Sequence, residues 1–345
     1  MIRPVGGTTI SADTDNKGRH RSSQSISAPR RHWLRLAAVI VAAGVAVAVA
    51  VTFTVEGIRG QAQAVLSGPQ TSTHHERGDT LPTTPDSYIG LYTDEDPSSF
   101  AGVRAFASVT GVKPNVVSYY SGWLEPFQLG FADAVTENGA VPLVQIDPTA
   151  VSLSAIASGD YDTYLGTYAR AVRAFRHPVI LSFGHEMNGH WYSWGYKNTP
   201  PAVFVAAWRH IVTVFRGQGA RNVTWLWTVN VIRKSPRVPS PGPWWPGKSY
   251  VNWVGIDGYY FYRSMMFDSI FGPTIAAVRA LTRDPIIIAE TAVTPAAGQP
   301  AKIADLFAGV RLYGLLGLIW FDSAGVFDWR LSSIAAIAAF RRGAE

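Results

Sequence analysis

The sequence predicts an α/β fold, a (β/α)8 TIM barrel preceded by one N-terminal transmembrane helix. Three observations predict it. From residue 87 onward, apolar runs of strand length alternate with amphipathic stretches eight times in roughly 260 residues, which is the size and count of such a barrel. Polar and aromatic residues follow the ends of the apolar runs, where barrels of this kind carry their chemistry. An uncharged stretch of twenty residues follows a basic N-terminal arm.

The positive charge of the chain is concentrated at its N-terminus. Seven Lys and Arg against two Asp give residues 1–35 a net charge of +5, which leaves +1 for the rest of the +6 chain. Because the body is nearly neutral, we expect no nucleic-acid partner. The chain contains no cysteine, which excludes disulfides, thiolate zinc sites and cysteine nucleophiles.

Residues 36–55 are predicted to form a single signal-anchor helix in the lipid bilayer, because about twenty uncharged residues span a membrane. The basic arm, 1–35, should stay in the cytoplasm and send the rest of the chain outside. Cleavage after Ala62-Gln63-Ala64 is the alternative and would secrete the protein. The polar residues 56–86 are expected to be a flexible linker to the barrel domain, 87–345.

The strands and helices of the barrel are predicted from residue 88. Short apolar runs mark strands at 88–92, 116–120, 141–146, 177–183, 223–230, 253–257, 286–289 and 315–321. Amphipathic stretches mark helices near 97–109, 126–138, 161–176, 201–215, 270–281, 301–313 and 331–342. Thr199 is the expected N-cap of the fourth helix. A proline-rich aromatic loop, 239–247, follows the fifth strand. A doubly wound open sheet is the alternative fold, but no glycine-rich phosphate loop follows the first strand.

The stretch 177–194 organises the predicted site. It begins as a buried strand and breaks into polar and aromatic residues at Glu186. A carboxylate at the mouth of a core has a raised pKa unless partners are supplied, and a raised pKa suits a general acid. An N-capping or salt-bridged Glu at a strand end is the alternative. Asn188 can bind sugar hydroxyls, and Trp191 and Trp194 offer flat faces on which sugars stack.

His185-Glu186 also resembles the start of a zinc-protease motif. That motif needs its second His four residues after the first, so that both imidazoles share one helical face. Here the second is His190, at five residues, and Asn188-Gly189 disfavours a helix. We therefore expect no metal site here.

The residues at the predicted strand ends are carboxylates, amides and aromatics. They are Trp123, Gln145, His185, Glu186, Asn230, Asp257 with Tyr259, Glu290, and Trp320 with Asp322. This set suits a neutral polyhydroxylated ligand. Glu186 ends the fourth strand and Glu290 the seventh, which face each other across a closed barrel. Two such carboxylates can cleave a glycosidic bond.

These motifs resemble glycoside hydrolase family 26, a clan A barrel family of β-mannanases with some mixed-linkage glucanases and β-1,3-xylanases. The matching residues are 185–189 with Trp191 and Trp194, then 253–259, Glu290 and Trp320, and the similarity covers about residues 87–340. The resemblance implies that Glu186 is the acid/base and Glu290 the nucleophile. It also implies that His185 and Trp191 line the cleavage point, that Tyr259 holds the nucleophile, and that Trp320 stacks under the sugar. Ser182 departs from the Arg that many mannanases of the family carry four residues before the acid/base.

The function expected from these residues is that of a retaining endo-β-glycosidase, a glycoside hydrolase acting on a β-mannan or β-1,3/1,4-glucan type polysaccharide. A catalytically weak or inactive carbohydrate-binding barrel, associated with cell-surface polysaccharide synthesis, is the alternative. A metal-dependent hydrolase would need a cluster of His and Asp ligands that the sequence does not offer. We expect a monomer whose partner is its polysaccharide substrate, with no cofactor.

Overall fold

The computed structural model describes residues 81–345 except Asp96 and Ser98. Eight parallel strands close into a barrel in consecutive order, each paired with its neighbours and β8 paired with β1. The strands are β1 Tyr88–Thr93, β2 Val116–Gly122, β3 Val141–Asp147, β4 Val179–Phe183, β5 Val223–Asn230, β6 Trp253–Asp257, β7 Ile286–Thr291 and β8 Gly317–Asp322. The predicted (β/α)8 barrel is therefore confirmed, and the open doubly wound sheet is wrong.

Helices surround the barrel. They are α1 Ala101–Thr110, α2 Leu129–Glu137, α3 Leu153–Ser158, α4 Asp162–Phe175, α5 Pro201–Gly217, α6 Phe267–Arg279, α7 Gln299–Leu312 and α8 Ile334–Ala344. The seven predicted helices are present with shifted ends, and α3 is an addition that its short length hid in the sequence. The loop after β5 contains two short 3-10 turns, Gly242–Trp244 and Lys248–Tyr250.

The predicted N-cap of α5 is wrong. Pro200 holds the N-cap position, and the hydroxyl of Thr199 instead donates to the carbonyl oxygen of Ser193, at 2.9 Å. Pro201 at the first helical position fixes the backbone angle that starts the helix, so no side-chain cap is needed there.

Two apolar layers hold the barrel together. Alternate strand residues such as Leu143 and Ile180 fill the barrel interior, and their neighbours Val144 and Leu181 pack outward against the helices. Since side chains alternate along a strand, each strand end sends one residue toward the mouth and the next toward the helices. Which residues reach the mouth is therefore set by the register of the strands.

The predicted arm, 1–35, the anchor helix, 36–55, and most of the linker, 56–86, lie outside the described residues. Within the part of the chain that the structure describes, no helix is both long and apolar enough to cross a bilayer.

Candidate active site

A cavity of about 340 Å³ opens at the carboxyl ends of the strands. Five predicted site residues line it: His185, Glu186, Trp191, Tyr259 and Glu290. The structure thus brings the two predicted catalytic carboxylates together in one cavity, with His185, Trp191 and Tyr259 around them. Both glutamates are buried, with 7% and 8% of their surfaces exposed.

Glu186 lies just beyond β4 and is held by two donors. The amide nitrogen of Asn230, at the end of β5, donates to Oε1, and the indole nitrogen of Trp191 donates to Oε2 at 2.7 Å. The backbone N–H of Glu186 donates to the carbonyl oxygen of Thr228 at 3.0 Å. The side chain is thus fixed by groups from two different segments of the chain.

The backbone around Glu186 adopts an uncommon conformation. Glu186 has φ of +54°, in the left-handed region that L-residues seldom occupy. Gly184 has the same φ value. Such positions persist where the surroundings hold them, and they cluster at functional sites. Gly189 makes a second tight point, because a Cβ there would lie 2.3 Å from the Trp191 ring. Glycine at 189 therefore leaves room for the Trp191 ring in the position from which its indole nitrogen donates to Glu186.

Two tyrosines hold Glu290, which lies within β7. Tyr259 donates its hydroxyl to Oε2 at 2.6 Å, and Tyr120, near the end of β2, donates to Oε1. Burial and the negative charge of Glu290 raise the pKa of both tyrosines well above the usual value. Both hydroxyls therefore stay protonated and serve as donors.

The pKa of Glu186 is raised to about 7, first by burial and then by the negative charge of Glu290. The charge of His185 and the hydrogen bonds from Asn230 and Trp191 oppose this rise. Glu186 can therefore hold a proton near neutral pH and release it within the working range, as a general acid must.

His185 is clamped between Asp147 and Tyr192. Its Nδ1 lies 2.8 Å from Oδ1 of Asp147, and its Nε2 lies 3.0 Å from the hydroxyl of Tyr192. Burial alone would lower the pKa of His185, but the charge and hydrogen bond of Asp147, together with the charges of Glu290 and Glu186, raise it to about 9. The site therefore contains an imidazolium beside its carboxylates at neutral pH.

Trp194 and Asn188 support the site without lining the cavity. Trp194 is buried, donates to the carbonyl oxygen of His185 at 2.7 Å and stacks on Tyr192 at 4.4 Å between ring centres. Asn188 is fully buried and exchanges hydrogen bonds with the backbone of Asn230, both at 2.8 Å. Neither side chain is free to bind a sugar, which corrects the roles predicted for them. Asn230 likewise contacts Glu186 and not the cavity surface.

Trp320 is the clearest correction. It is fully buried and its ring packs on Phe340 of α8, with 5.4 Å between ring centres, so it faces the helices. Its neighbour Phe321 lines the cavity instead. A shift of one residue along a strand reverses the face of a side chain, and the sequence alone did not fix that register. Trp329, in the loop after β8, lines the cavity and packs on Tyr259 at 4.5 Å.

Trp123, Gln145 and Asp257 also lie away from the cavity surface. Trp123 packs outward among Tyr161, Tyr164 and Phe183. Gln145 and Asp257 are buried, and their polar side-chain atoms have no hydrogen-bond partner among the described residues. Burial and the nearby charge of Glu290 raise the pKa of Asp257 well above its usual value. Asp257 therefore lies in the barrel interior and does not reach the cavity, where it was predicted to bind substrate hydroxyls.

Ser182 also points into the barrel. It is fully buried, and its hydroxyl lies 3.1 Å from that of Thr228. The departure from the mannanase pattern therefore falls below the mouth of the barrel.

Sequence reasoning missed several residues of the cavity wall, among them Tyr92, Tyr120, Asp147, Tyr192, Phe321 and Trp329. Tyr120 is the last residue of the predicted strand 116–120, and Asp147 follows the predicted strand 141–146 by one residue, so the strand ends themselves point to both. Tyr192 and Trp329 lie in loops, where no periodic pattern indicates which way a side chain faces.

The cavity wall combines carboxylates with apolar rings. Its lining includes the carboxylates Asp94, Glu95 and Glu125 and the rings of Phe261, Phe321, Phe327 and Trp329. Asp94 also accepts from the hydroxyl of Ser323 and the N–H of Ala324, which ties the loop after β8 to the end of β1. Apolar rings beside hydrogen-bonding carboxylates suit a pyranose, which has C–H faces and hydroxyl edges.

The chain is similar in sequence to known glycoside hydrolases. The family model for glycosyl hydrolase family 26 matches residues 94–300. Endoglucanase H of Acetivibrio thermocellus is 32% identical over 270 residues, which cover 73% of this chain and 30% of that protein. The β-1,3-xylanase TXYA of a Vibrio species is 30% identical over 185 residues, which cover 50% of this chain and 38% of that protein. The chain thus spans about a third of the length of these curated relatives.

Solved structures share the fold. The catalytic domain of a GH26 endo-β-1,4-mannanase from a Bacillus species superposes with a TM-score of 0.60 at 13% identity, covering 74% of this chain and 85% of that one. A GH26 β-mannanase from Bacteroides ovatus gives a TM-score of 0.54 at 16% identity, covering 76% of this chain and 88% of that one. At these identities the likeness concerns the fold.

Proposed function

The chain belongs to glycosyl hydrolase family 26, and we propose that it is a retaining endo-β-glycosidase that hydrolyses a β-linked polysaccharide. The observation that carries the proposal is the pair Glu186 and Glu290, which line one cavity and are held by different partners. The similar proteins are named an endoglucanase, a β-1,3-xylanase and β-mannanases, which supports a β-mannan or β-1,3/1,4-glucan type of substrate.

In the first step, a carboxylate oxygen of Glu290 attacks the anomeric carbon while the bond to the leaving oxygen breaks. Glu186, protonated near neutral pH, gives its proton to that oxygen. In the second step, Glu186 takes a proton from water, and the water oxygen displaces Glu290 from the anomeric carbon. Tyr259 and Tyr120 stabilise the carboxylate of Glu290 before attack and after release.

This mechanism requires the carboxyl groups of Glu186 and Glu290 to lie about 5 to 5.5 Å apart, because an inverting enzyme needs a wider gap for water. The stereochemical test is an NMR time course of hydrolysis. Release of the β-anomer first from a β-linked glycan supports retention, and release of the α-anomer first contradicts it.

The substrate is tested by measuring reducing ends released from a panel of mannan, mixed-linkage glucan and xylan. We expect release from one class of β-glycan, and Glu290→Ala as control should abolish it. Endo action predicts a rapid fall in viscosity with few ends released. Binding of a polysaccharide without release of reducing ends would instead indicate a catalytically weak binding barrel.

We also propose that residues 36–55 anchor the protein in the cell membrane, with 1–35 in the cytoplasm and the barrel outside. The uncharged stretch after an arm of net charge +5 supports this. Fractionation should recover the intact chain with membranes. Recovery of the intact chain only from soluble cytosol would contradict the anchor, and a mature N-terminus after Ala64 would indicate secretion. Sedimentation of the protein should give a monomer.

A further inference from the structure

Arg233 lies three residues after β5 and contacts both donors that hold Glu186. One terminal nitrogen of its guanidinium donates to Oδ1 of Asn230 at 3.2 Å. The guanidinium carbon lies 5.6 Å from the ring centre of Trp191, in a cation–π arrangement. Asn230 and Trp191 in turn donate to different oxygens of Glu186. One side chain therefore connects to both ends of the carboxyl group through separate contacts.

The guanidinium is partly withdrawn from water without an ion-pair partner. Its Nε is buried and has no hydrogen-bond partner in the part of the chain that the structure describes. None of the ion pairs found among those residues includes Arg233. Burial lowers the pKa of Arg233, and the negative charge of Glu186 opposes this change. Withdrawing an unpaired cation from water costs free energy, which the contacts of Arg233 with Asn230 and Trp191 must offset.

The backbone of Arg233 is fixed independently of its side chain. Arg233 and Val238 exchange backbone N–H···O bonds at 3.1 and 2.9 Å, which closes a short turn, and Val238 is buried. The N–H of Ile232 donates to the hydroxyl of Thr274 at 2.8 Å. Replacing the Arg233 side chain should therefore leave the turn in place.

We propose that Arg233 is a positioning residue for Glu186, which orients the Asn230 amide and the Trp191 indole toward the carboxyl group and stabilises its ionised form. By donating to Oδ1, Arg233 selects the orientation in which the amide nitrogen of Asn230 faces Glu186. By stacking on Trp191, it restricts the plane from which the indole N–H reaches Oε2. The inference rests on the proposed acid/base role of Glu186.

The experiment compares Arg233→Gln and Arg233→Lys with Arg237→Gln, which makes the same chemical change at an exposed position of the same turn. Thermal unfolding checks that all three fold. In Arg233→Gln we expect kcat on polysaccharide to fall about tenfold or more, with KM changed less than about twofold, because the acid and not substrate contact is disturbed. Arg237→Gln should match the unmodified protein. Arg233→Lys keeps the charge but loses the planar fork, so it should recover the pH profile more fully than kcat.

The pKa of Glu186 provides a readout that needs no substrate. It is followed by NMR of the 13C-labelled glutamate carboxyl groups, with Glu186→Gln used to assign the signal. We expect Arg233→Gln to raise this pKa, since a nearby cation that favours the carboxylate is lost, and Arg237→Gln to leave it unchanged. An unchanged pKa, or an effect on KM alone, would overturn the inference. If the unmodified protein hydrolyses no glycan, the proposed function fails, and this titration still decides the role of Arg233.

Discussion

The two predicted catalytic residues, Glu186 and Glu290, are the same type of side chain in different surroundings. Glu186 is held by an amide and an indole, beside the guanidinium of Arg233, on a backbone in the left-handed region. Glu290 is held by two tyrosine hydroxyls and lies within β7, at the point where the pairing register with β6 and β8 shifts. Both carboxylates are nearly inaccessible, so burial alone does not distinguish them. The comparison teaches that the two glutamates differ in their neighbours, on which the proposed roles of proton donor and nucleophile rest.

The largest expected effect comes from removing the carboxylate of Glu290. Glu290→Ala removes the attacking oxygen, so turnover should fall roughly 10⁴-fold or more on all substrates, measured as released reducing ends. Azide should restore part of the bond cleavage by attacking from the vacated side, and this is detected as a glycosyl azide of inverted configuration and not as reducing ends. Glu137→Ala, an exposed glutamate on α2, is the matched control and should be unaffected. Comparable loss in both variants would refute the nucleophile assignment.

The next largest effect comes from removing the carboxyl group of Glu186. In Glu186→Ala, hydrolysis of polysaccharide should fall about 10² to 10⁴-fold, because proton transfer to the leaving oxygen is lost. An aryl glycoside whose phenolate leaves without protonation should still form the glycosyl-enzyme, visible as a burst of phenolate. For the unmodified protein, activity on polysaccharide should decline as pH rises through about 7, where Glu186 loses its proton. Equal losses on both substrates would contradict the acid role.

Asp147→Asn tests what keeps His185 protonated beside the two glutamates. The pKa of His185 is raised to about 9 against an ordinary value near 6.5, so its protonation stabilises the fold below about pH 6.5. That contribution should be lost as pH rises through about 9, and its upper limit is about 3 kcal/mol. In Asp147→Asn the pKa of His185 should drop, since burial is then opposed only by the charges of Glu290 and Glu186. Denaturant unfolding at several pH values measures the difference. A constant difference between the two proteins from pH 6 to 10 would contradict this linkage.

Removing one tyrosine hydroxyl should have the smallest effect. Tyr259→Phe deletes one hydrogen bond to the Glu290 carboxylate, which corresponds to about 2 kcal/mol or roughly a thirtyfold loss in kcat/KM. Tyr120→Phe should act similarly from the opposite oxygen. Either change should lower kcat/KM, while the pH at which activity declines, which is assigned to Glu186, should shift little. A variant that mainly shifts this pH would contradict the assignment of the tyrosine to Glu290.

The sequence by itself determined the alternation of eight strands and helices and the place of both glutamates at the ends of β4 and β7. These features follow from local apolar patterns, because burial on both faces makes each strand a continuous apolar run. It also indicated Trp191, which follows β4, and Tyr259, which follows β6. Such information is carried within a few residues of each strand.

Only the tertiary structure decided which strand-end residues face the cavity. Trp320 turned toward α8 and Phe321 toward the mouth, while Gln145 and Asp257 turned into the barrel interior. The facing of a side chain reverses with a shift of one residue, and closure of the barrel sets that register through pairings with both neighbouring strands. The partners of the glutamates depend on the same closure. Tyr120 lies 170 residues before Glu290 in sequence, and only the closed barrel brings its hydroxyl to that carboxylate.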